Sequence, residues 1–239
     1  MDEARARARW WGPKPGVLQL VLSDQATVPE PDELRGWLDD AERTGATTVR
    51  TGALFPGAAA RFADAGFEVI DTLVLMHIDL GDGEPAAPTN RPRRSAATTG
   101  PLRRRHHSVA AEIDRLAFGP PWANDIEDLD DIRHATPTHR GRGRFLAGAG
   151  WSRPLVAFAI TGAATGQGYL QRLAVHPDHQ RAGHGRALTV DALDWMGRRG
   201  LTRALVNTAE TNTAALDLYR SVGFTSMRDR LVVMQRALR

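Results

Sequence analysis

Hydrophobic positions along the chain follow two different spacings, which alternate from one end of the sequence to the other. Leu34, Trp37 and Leu38 recur every three or four residues, which predicts an amphipathic helix. The short apolar run from Val17 to Leu22 predicts a strand instead. Helices are predicted in this way at 31–43, 58–65, 109–118, 126–134, 186–199 and 213–222. Strands are predicted at 17–22, 47–54, 68–80, 155–161, 168–175, 204–208 and 231–238. Strands that alternate with helices indicate an α/β fold.

A repeated pattern relates the two ends of the chain. Three pairs of similar segments occur in the same order, at offsets of 152, 157 and 158 residues. The pairs are 16–19 with 168–171, 66–67 with 223–224, and 71–76 with 229–234. Shared strand propensity explains any one match, but three in order indicate a duplicated strand–helix–strand–helix–strand unit.

The composition changes between residues 81 and 105. This stretch is rich in Pro, Gly, Ala, Thr and Arg, and it lacks periodic apolar positions. We therefore predict a smaller half-domain at 1–81, an exposed basic linker at 82–105 and a second domain at 106–239. A docking strip for an acidic partner is the alternative interpretation of the linker.

The overall composition excludes several classes of protein. The chain has 239 residues, 42% hydrophobic and 25% charged, which is ordinary for a globular protein. Because it contains no cysteine, a disulfide framework, a thiolate zinc site and a cysteine nucleophile are excluded. The sequence shows no apolar window of membrane-spanning length and no secretory signal, so a cytoplasmic protein without a membrane partner is expected. The formal charge is only +3, so nucleic acid is not expected as a partner.

The turn that follows the strand at 168–175 carries the clearest chemical signal. It contains Gly183 and Gly185 just before a predicted helix. Glycines in such a turn let consecutive backbone N–H groups point outward at the positive end of the helix, which suits a phosphate or pyrophosphate. The endings typical of ATP-binding and dinucleotide-binding turns are missing. The preceding run 176–179, His-Pro-Asp-His, has no further clustered ligands, so no metal is expected.

A second signal follows about thirty residues later. Asn212 opens the helix at 213–222, and Tyr219 lies seven residues further on, on the same helix face. Gly223-Phe224 then ends the helix. Taken alone, Asn212 is an N-cap and Tyr219 is a core aromatic.

Taken together, these residues resemble the GCN5-related N-acetyltransferase (GNAT) family. The acyl-CoA signature Q/R-x-x-G-x-G/A matches 180–185, and the Asn-to-Gly-Phe spacing matches 212–224. The resemblance implies a GNAT fold, a mixed and mostly antiparallel twisted sheet flanked by helices, here preceded by a smaller GNAT-like α/β half-domain. It also implies acetyl-CoA as cosubstrate. The residues implied to bind it are Leu173, Ala174, Val175, Gln180, Arg181, Ala182, Gly183, His184, Gly185, Arg186 and Asn212.

The resemblance implies direct acetyl transfer to a primary amine, with Tyr219 protonating the departing CoA thiolate as general acid. Many relatives use a glutamate as base, but the matching positions here are Asn207 and Tyr169. Glu210 is the substitute base by proximity, and His176 is a second candidate; a surface or capping role is the alternative for each. The acceptor is the α-amine of a peptide or a small-molecule amine. A non-catalytic acyl-CoA sensor is the alternative function, and a homodimer stays open.

The first copy of the repeat lacks the groups that the resemblance assigns to the second. Alignment of the two Gly-Phe pairs places Phe55 opposite Asn212 and Phe62 opposite Tyr219. No glycine follows the first strand where the phosphate-binding turn would lie. We therefore expect a degenerate GNAT-like half-domain with a structural role.

Overall fold

The computed structural model describes residues 5–11, 15–23, 27–81, 97–120, 122–147 and 153–238. The strands in these residues are β1 Ala6–Trp10, β2 Val17–Leu22, β3 Thr48–Thr51, β4 Glu68–Asp79, β5 Ala97–Pro101, β6 Thr138–Leu146, β7 Leu155–Ala164, β8 Gln167–Val175, β9 Arg203–Ala209 and β10 Thr225–Ala237. The helices are α1 Pro31–Arg43, α2 Pro56–Asp64, α3 His107–Phe118, α4 Ile126–His134, α5 His184–Gly197 and α6 Thr213–Val222.

The predicted helices are all present, with α1, α4 and α6 at their predicted bounds. The sequence patterns missed β1, β5 and β6. Of these, β6 is rich in arginine and glycine, so it has no alternation of apolar and polar residues to reveal it. The prediction of an exposed linker does not hold for β5, which pairs with β6 along its whole length. Residues 82–96 of that linker lie outside the described residues.

Two compact units make up the chain, and each combines separated segments. The first contains Met1–Leu75, Asn207–Thr213 and Ser226–Arg239, and the second contains Met76–Val206 and Ala214–Thr225. These units differ from the divisions predicted along the chain. The difference arises because the C-terminal strand β10 pairs antiparallel with β3, so segments from both ends of the chain belong to the first unit.

The first unit contains strands in the order β1-β2-β3-β10-β4. β2 and β3 are parallel and are connected by α1, as the predicted repeat requires. The core of this unit combines side chains of the helices with side chains of the strands. Its most buried members include Leu34, Val49, Leu54, Phe62 and Met234.

The second unit contains strands in the order β9-β8-β7-β6-β5. The pairs from β5 to β8 are antiparallel, whereas β8 and β9 are parallel. Helices α3, α4 and α5 pack on these strands. The core includes Ile113, Leu129, Phe158 and Ile160. The predicted mixed, mostly antiparallel sheet flanked by helices is confirmed.

Candidate functional site

Strand β8 has one edge that separates from its neighbour. β8 pairs with β9 only from Gln167 to Tyr169, against Arg203 to Leu205. Beyond Tyr169 no further pair with β9 is formed in the described part of the chain, while β7 continues to pair along the other edge of β8 as far as Val175. The backbone groups of residues 173–175 on the β9 side are therefore available to a ligand. Leu173, Ala174 and Val175, predicted to bind acetyl-CoA, lie on this part of β8.

The chain then turns into α5 through a run of residues with outward-facing N–H groups. Arg181 and Gly183 have positive φ angles of 57° and 81°. The first N–H to bond backward into the helix is that of Ala187, which donates to the carbonyl of Gly183 at 3.0 Å. Within the described residues, the N–H groups of 181–186 have no backbone acceptor. We call these six residues the N–H cradle.

The electrostatics of the cradle favour an anion. The N-terminus of a helix carries a partial positive charge, and its first N–H groups lack partners within the helix. No acidic residue occurs in the first turn of α5. A Cβ at Gly183 would meet no atom within 4 Å, so the surface of the cradle is open there. The predicted residues Gln180, Arg181, Ala182, Gly183, His184, Gly185 and Arg186 thus lie consecutively in this turn or directly beside it.

Gly185 brings the cradle close to α6. A Cβ at Gly185 would come within 3.1 Å of Leu218 Cδ2, so a larger residue here would push the two helices apart. Leu218 is the neighbour of Tyr219 in α6. The close approach at Gly185 therefore places the start of α5 beside the helix that carries the predicted acid.

His184, inside the cradle, is uncharged at neutral pH. The residue is 5% exposed, and its Nδ1 is sealed from solvent without a hydrogen-bond partner in the described residues. Burial is the main cause that lowers the pKa of His184, and the positive charges of Arg144 and His179 act in the same direction. The positive character of the cradle thus comes from backbone N–H groups and arginines, not from this imidazole.

Tyr219 is a buried, protonated tyrosine. Its residue exposure is 5%, and its hydroxyl makes no hydrogen bond to a described residue. Burial raises the pKa of the Tyr219 phenol strongly, while the positive charge of Arg172 acts in the opposite direction. A phenol in this state carries its proton at neutral pH and can donate it to a stronger base.

Two other predicted residues belong to the first unit. Asn212 lies in the turn before α6, where its N–H donates to the carbonyl of Ala209 at 2.9 Å. Glu210 is exposed, and its N–H donates to the carbonyl of Thr72 at 2.9 Å. The carboxylate of Glu210 lies 3.8 Å from Nε of Arg230. The second unit therefore brings together the free edge of β8, the cradle and Tyr219. Asn212 and Glu210 belong to segments of the first unit.

A buried ionic cluster next to β8 was not predicted from the sequence. Arg172 and Asp114 form it, with an Nε to Oδ2 distance of 2.6 Å. A signal was present in the sequence, because Asp114 follows Ile113 on the apolar side of α3 and Arg172 interrupts an apolar strand. A charged residue in such a position requires a partner of opposite charge.

Comparisons with known proteins agree with this geometry. Residues 110–224 match the family model described as "Acetyltransferase (GNAT) family". That range contains β8, the cradle and Tyr219.

Curated relatives match over different parts of the chain. The [ribosomal protein bS18]-alanine N-acetyltransferase of Escherichia coli K12 is 40% identical over 70 residues, which are 29% of this chain and 47% of that protein. The mycothiol acetyltransferase of Geodermatophilus obscurus is 30% identical over 185 residues, covering 71% of this chain and 57% of that protein. The chain thus spans about half the length of the curated relatives it matches.

Solved structures show the same fold over nearly the whole chain. A GCN5-related N-acetyltransferase from Sphaerobacter thermophilus aligns with a TM-score of 0.61 and 17% identity, covering 98% of this chain and 76% of that chain. A tandem GNAT protein from the clavulanic acid biosynthesis pathway aligns with a TM-score of 0.65 and 14% identity, covering 93% and 75%. The chain therefore carries, at residues 110–224, a domain of the GNAT family of acetyltransferases.

Proposed function

We propose that this protein is an acetyl-CoA-dependent N-acetyltransferase that transfers the acetyl group directly to a primary amine. The observation that carries the proposal is the N–H cradle at the start of α5, directly after the strand edge that β9 leaves free. Several N–H donors at a helix N-terminus can bind a diphosphate, and a free strand edge can pair with an amide-containing arm. Coenzyme A contains both groups in sequence, so the two features fit it together.

The residues of this chain have separate tasks in the proposal. The N–H groups of 181–186 bind the diphosphate, and the backbone of 173–175 pairs with the pantetheine arm. Asn212 contacts the same arm through its amide. A backbone N–H of β8 polarises the thioester carbonyl, which favours attack by the amine.

Tyr219 completes the reaction as general acid. A bond forms between the amine nitrogen and the acetyl carbon, and the bond between that carbon and sulfur breaks. The hydroxyl of Tyr219 gives its proton to the departing thiolate. Because the pKa of this phenol is raised by burial, Tyr219 remains protonated until that step.

The base that receives the amine proton is proposed to be Glu210. It is an exposed carboxylate, so it is accessible to water. His176 is less suited, because its Nδ1 accepts the N–H of Asp178 at 3.2 Å. The neutral imidazole then carries its proton on Nε2, so neither ring nitrogen is a free acceptor. An amine of low pKa needs no base.

The acceptor in this proposal is a peptide α-amine or a small-molecule amine. One relative is named for acetylation of an alanine of a ribosomal protein, and another is named for mycothiol. The first of these names supports a primary amine as the acceptor class here.

Residues 1–81 are proposed to be a degenerate GNAT-like half-domain with a structural role. Phe62 and Phe67 repeat the geometry of Tyr219 and Phe224, since in each pair the second residue donates its N–H to the carbonyl of the first, at 3.1 and 3.0 Å. The anion-binding role is lost, because the N-terminus of α1 is acidic: Glu33 accepts the N–H of Glu30 at 3.3 Å. A carboxylate in that place repels phosphate.

A non-catalytic acyl-CoA sensor is the second candidate function. It is favoured by the residues at the two positions where many relatives have a glutamate that acts as the base. Asn207 and Tyr169 occupy them here, and neither side chain accepts a proton at neutral pH.

Thiol release from acetyl-CoA tests the proposal, measured against a panel of peptides and small amines, with calorimetry of CoA binding in parallel. We expect binding together with amine-dependent thiol release. Binding without release for every amine would favour the sensor, and an absence of CoA binding would overturn both functions.

A further inference from the structure

Strand β8 carries a bulge between its paired end and its free edge. The register with β7 skips Gln171, which is an extra residue on β8. A bulge changes the direction of the side chains beside it. Gln171 donates through Nε2 to the carbonyl of Ile132 in α4 at 2.8 Å, and Arg172 reaches Asp114 in α3. Two consecutive side chains of β8 therefore face the helix pair α3 and α4.

Arg172 is held there in one orientation. Its Nε lies 2.6 Å from Oδ2 of Asp114, and its Nη2 lies 2.7 Å from Oδ1. The Asp114 side chain is completely buried, so its charge-assisted hydrogen bonds with Arg172 are shielded from water. The guanidinium carbon also lies 3.5 Å from the centre of the Phe118 ring. The planar head of Arg172 is thus fixed on three sides.

The same pair fixes the turn that follows α3. Nη2 of Arg172 donates to the carbonyl of Trp122 at 2.9 Å. The backbone N–H of Asn124 donates to Oδ1 of Asp114 at 2.7 Å. With its amide oxygen turned toward Arg172, the Asn124 side chain also accepts from Nη2 at 2.9 Å. Residues 122–124 are therefore tied to β8 through one guanidinium and one carboxylate.

One nitrogen of this guanidinium has no hydrogen-bond partner in the described part of the chain. Nη1 of Arg172 makes no hydrogen bond to any residue that the structure describes, and 16% of the side chain is exposed. The positive charge of Arg172 also acts on Tyr219, where it opposes the effect of burial on the phenol pKa. An N–H donor with a fixed direction is therefore available on β8, directly before residues 173–175.

We propose that Arg172 binds the acceptor, and that its Nη1 donates to a carbonyl or carboxylate oxygen on the carbon adjacent to the one that bears the reacting amine. That arrangement occurs in a free α-amino acid and in the first residue of a peptide. The inference rests on the proposed function and narrows its acceptor to α-amino acyl compounds. In this proposal the bulge selects the acceptor, whereas other residues bind acetyl-CoA.

The test compares three acceptors in which the same CH(CH₃) carbon bears the amine, and kcat/KM is expressed per neutral amine because their amine pKa values differ. An alanine-starting peptide presents a carbonyl oxygen, free alanine presents a carboxylate, and isopropylamine has a methyl group in place of either. Thiol release gives kcat and KM for the wild type and for Arg172→Lys. We expect the wild type to prefer an oxygen-bearing acceptor at least 10-fold in kcat/KM, and the preferred one distinguishes carbonyl from carboxylate. Arg172→Lys is expected to lose about 10- to 100-fold with that acceptor, mainly through KM, and little with isopropylamine.

Two further variants separate recognition from folding. Because Asp114 is buried, Arg172→Gln combined with Asp114→Asn removes both charges at once and is expected to lose the same selectivity. Arg115→Lys, which alters an exposed pair with Glu112 on α3, is the matched control and is expected to retain it. The Kd for CoA should stay within about twofold in every variant.

Equal use of the three acceptors by the wild type, or an equal loss for all three in Arg172→Lys, would overturn this inference alone. A wild type that releases no thiol with any amine overturns the proposed function, and the inference with it.

Discussion

The ring centre of Tyr219 lies 5.7 Å from that of Phe224, and the N–H of Phe224 donates to the carbonyl of Tyr219 at 3.0 Å. The last turn of α6 is therefore closed by the residue that also packs against the proposed acid. Gly223 lies between them with a φ of 106°, which an L side chain adopts only with strain. The orientation of Tyr219 is set by this helix end, and its hydroxyl has no hydrogen-bond partner among the described residues.

Removal of that hydroxyl is the most direct test of its role. Tyr219→Phe is expected to lower kcat about 100-fold or more, since general acids contribute on this scale. The Kd for CoA and the unfolding free energy should change little, because the hydroxyl makes no hydrogen bond to a described residue that the variant would lose. The measurement is thiol release with a saturating amine, and an unchanged kcat would refute the assignment of Tyr219 as the acid.

A side chain at Gly183 should weaken CoA binding. Gly183→Ala requires a φ near 81° for an alanine and thus distorts the N–H cradle. We expect the Kd for CoA to rise about 10-fold or more, measured by calorimetry. Gly166→Ala is the matched control, because Gly166 also has a positive φ, 77°, and also faces open space, but lies in the β7–β8 turn. Equal changes in the two variants would mean that the cradle is not the binding site.

The assignment of Glu210 as base predicts a dependence on the acceptor. Glu210→Gln should lower kcat/KM strongly, about 100-fold, for alkylamines that are protonated at neutral pH. The effect should be small for amines of low pKa, which are already neutral. The ratio between the two amine classes is the measurement. A uniform small effect across the classes would leave Glu210 as a surface residue paired with Arg230.

His184 should make the folded state less stable in mild acid. Its pKa is lowered in the folded protein, mainly by burial, so the unfolded chain binds the proton first as the pH falls. The contribution of neutral His184 to the free energy of unfolding is complete above the pKa of an ordinary histidine, about 6.5. It is lost as the pH falls toward the lowered pKa of His184 in the folded protein. Denaturant unfolding between pH 8 and 5 should show a steeper loss for the wild type than for His184→Gln, by at most about 1.4 kcal/mol per pH unit. The exposed His134→Gln controls for the loss of an imidazole, and parallel curves for the wild type and His184→Gln would contradict the prediction.

Asp191 should stabilise the contact between α5 and β6. It accepts from Nη2 of Arg140 at 2.6 Å and from Nε of Arg142 at 3.3 Å. Burial lowers the pKa of Arg140 to about 10, and the charge of Asp191 acts in the opposite direction. Asp191→Asn leaves two partly buried guanidinium groups without a countercharge, so we expect a loss of about 1–3 kcal/mol in unfolding free energy.

The matched control for that variant is Asp217→Asn. Asp217 pairs with Arg220 at 3.2 Å, but its side chain is 77% exposed, so its loss should cost less than about 0.5 kcal/mol. Chemical denaturation measures both variants. A loss at Asp191 no larger than that at Asp217 would show that the arginines of β6 do not depend on this carboxylate.

Local patterns were sufficient for the helices and for the main part of the site. The cradle and the Asn212-to-Tyr219 spacing could be identified because helix periodicity, glycine turns and caps depend on residues a few positions apart. The pair Phe62 and Phe67 could likewise be matched to Tyr219 and Phe224 from the position of one glycine. Each of these features is encoded within a single segment of about ten residues.

Strand β6 and the Arg172–Asp114 pair depended on the tertiary structure. β6 has glycines and arginines in place of apolar residues, and it becomes a strand because β5 and β7 supply hydrogen-bond partners on both of its edges. The bulge at Gln171 exists only relative to β7. Arg172 and Asp114 are 58 residues apart, and neither could be assigned a partner before the strand and the helix were packed together. The helical segments and the position of the N–H cradle could be predicted from the sequence alone, because those properties depend on residues that are close together along the chain. The choice of strand partners and the burial of a charge pair were decided by the fold, because they depend on contacts between segments that are distant along the chain.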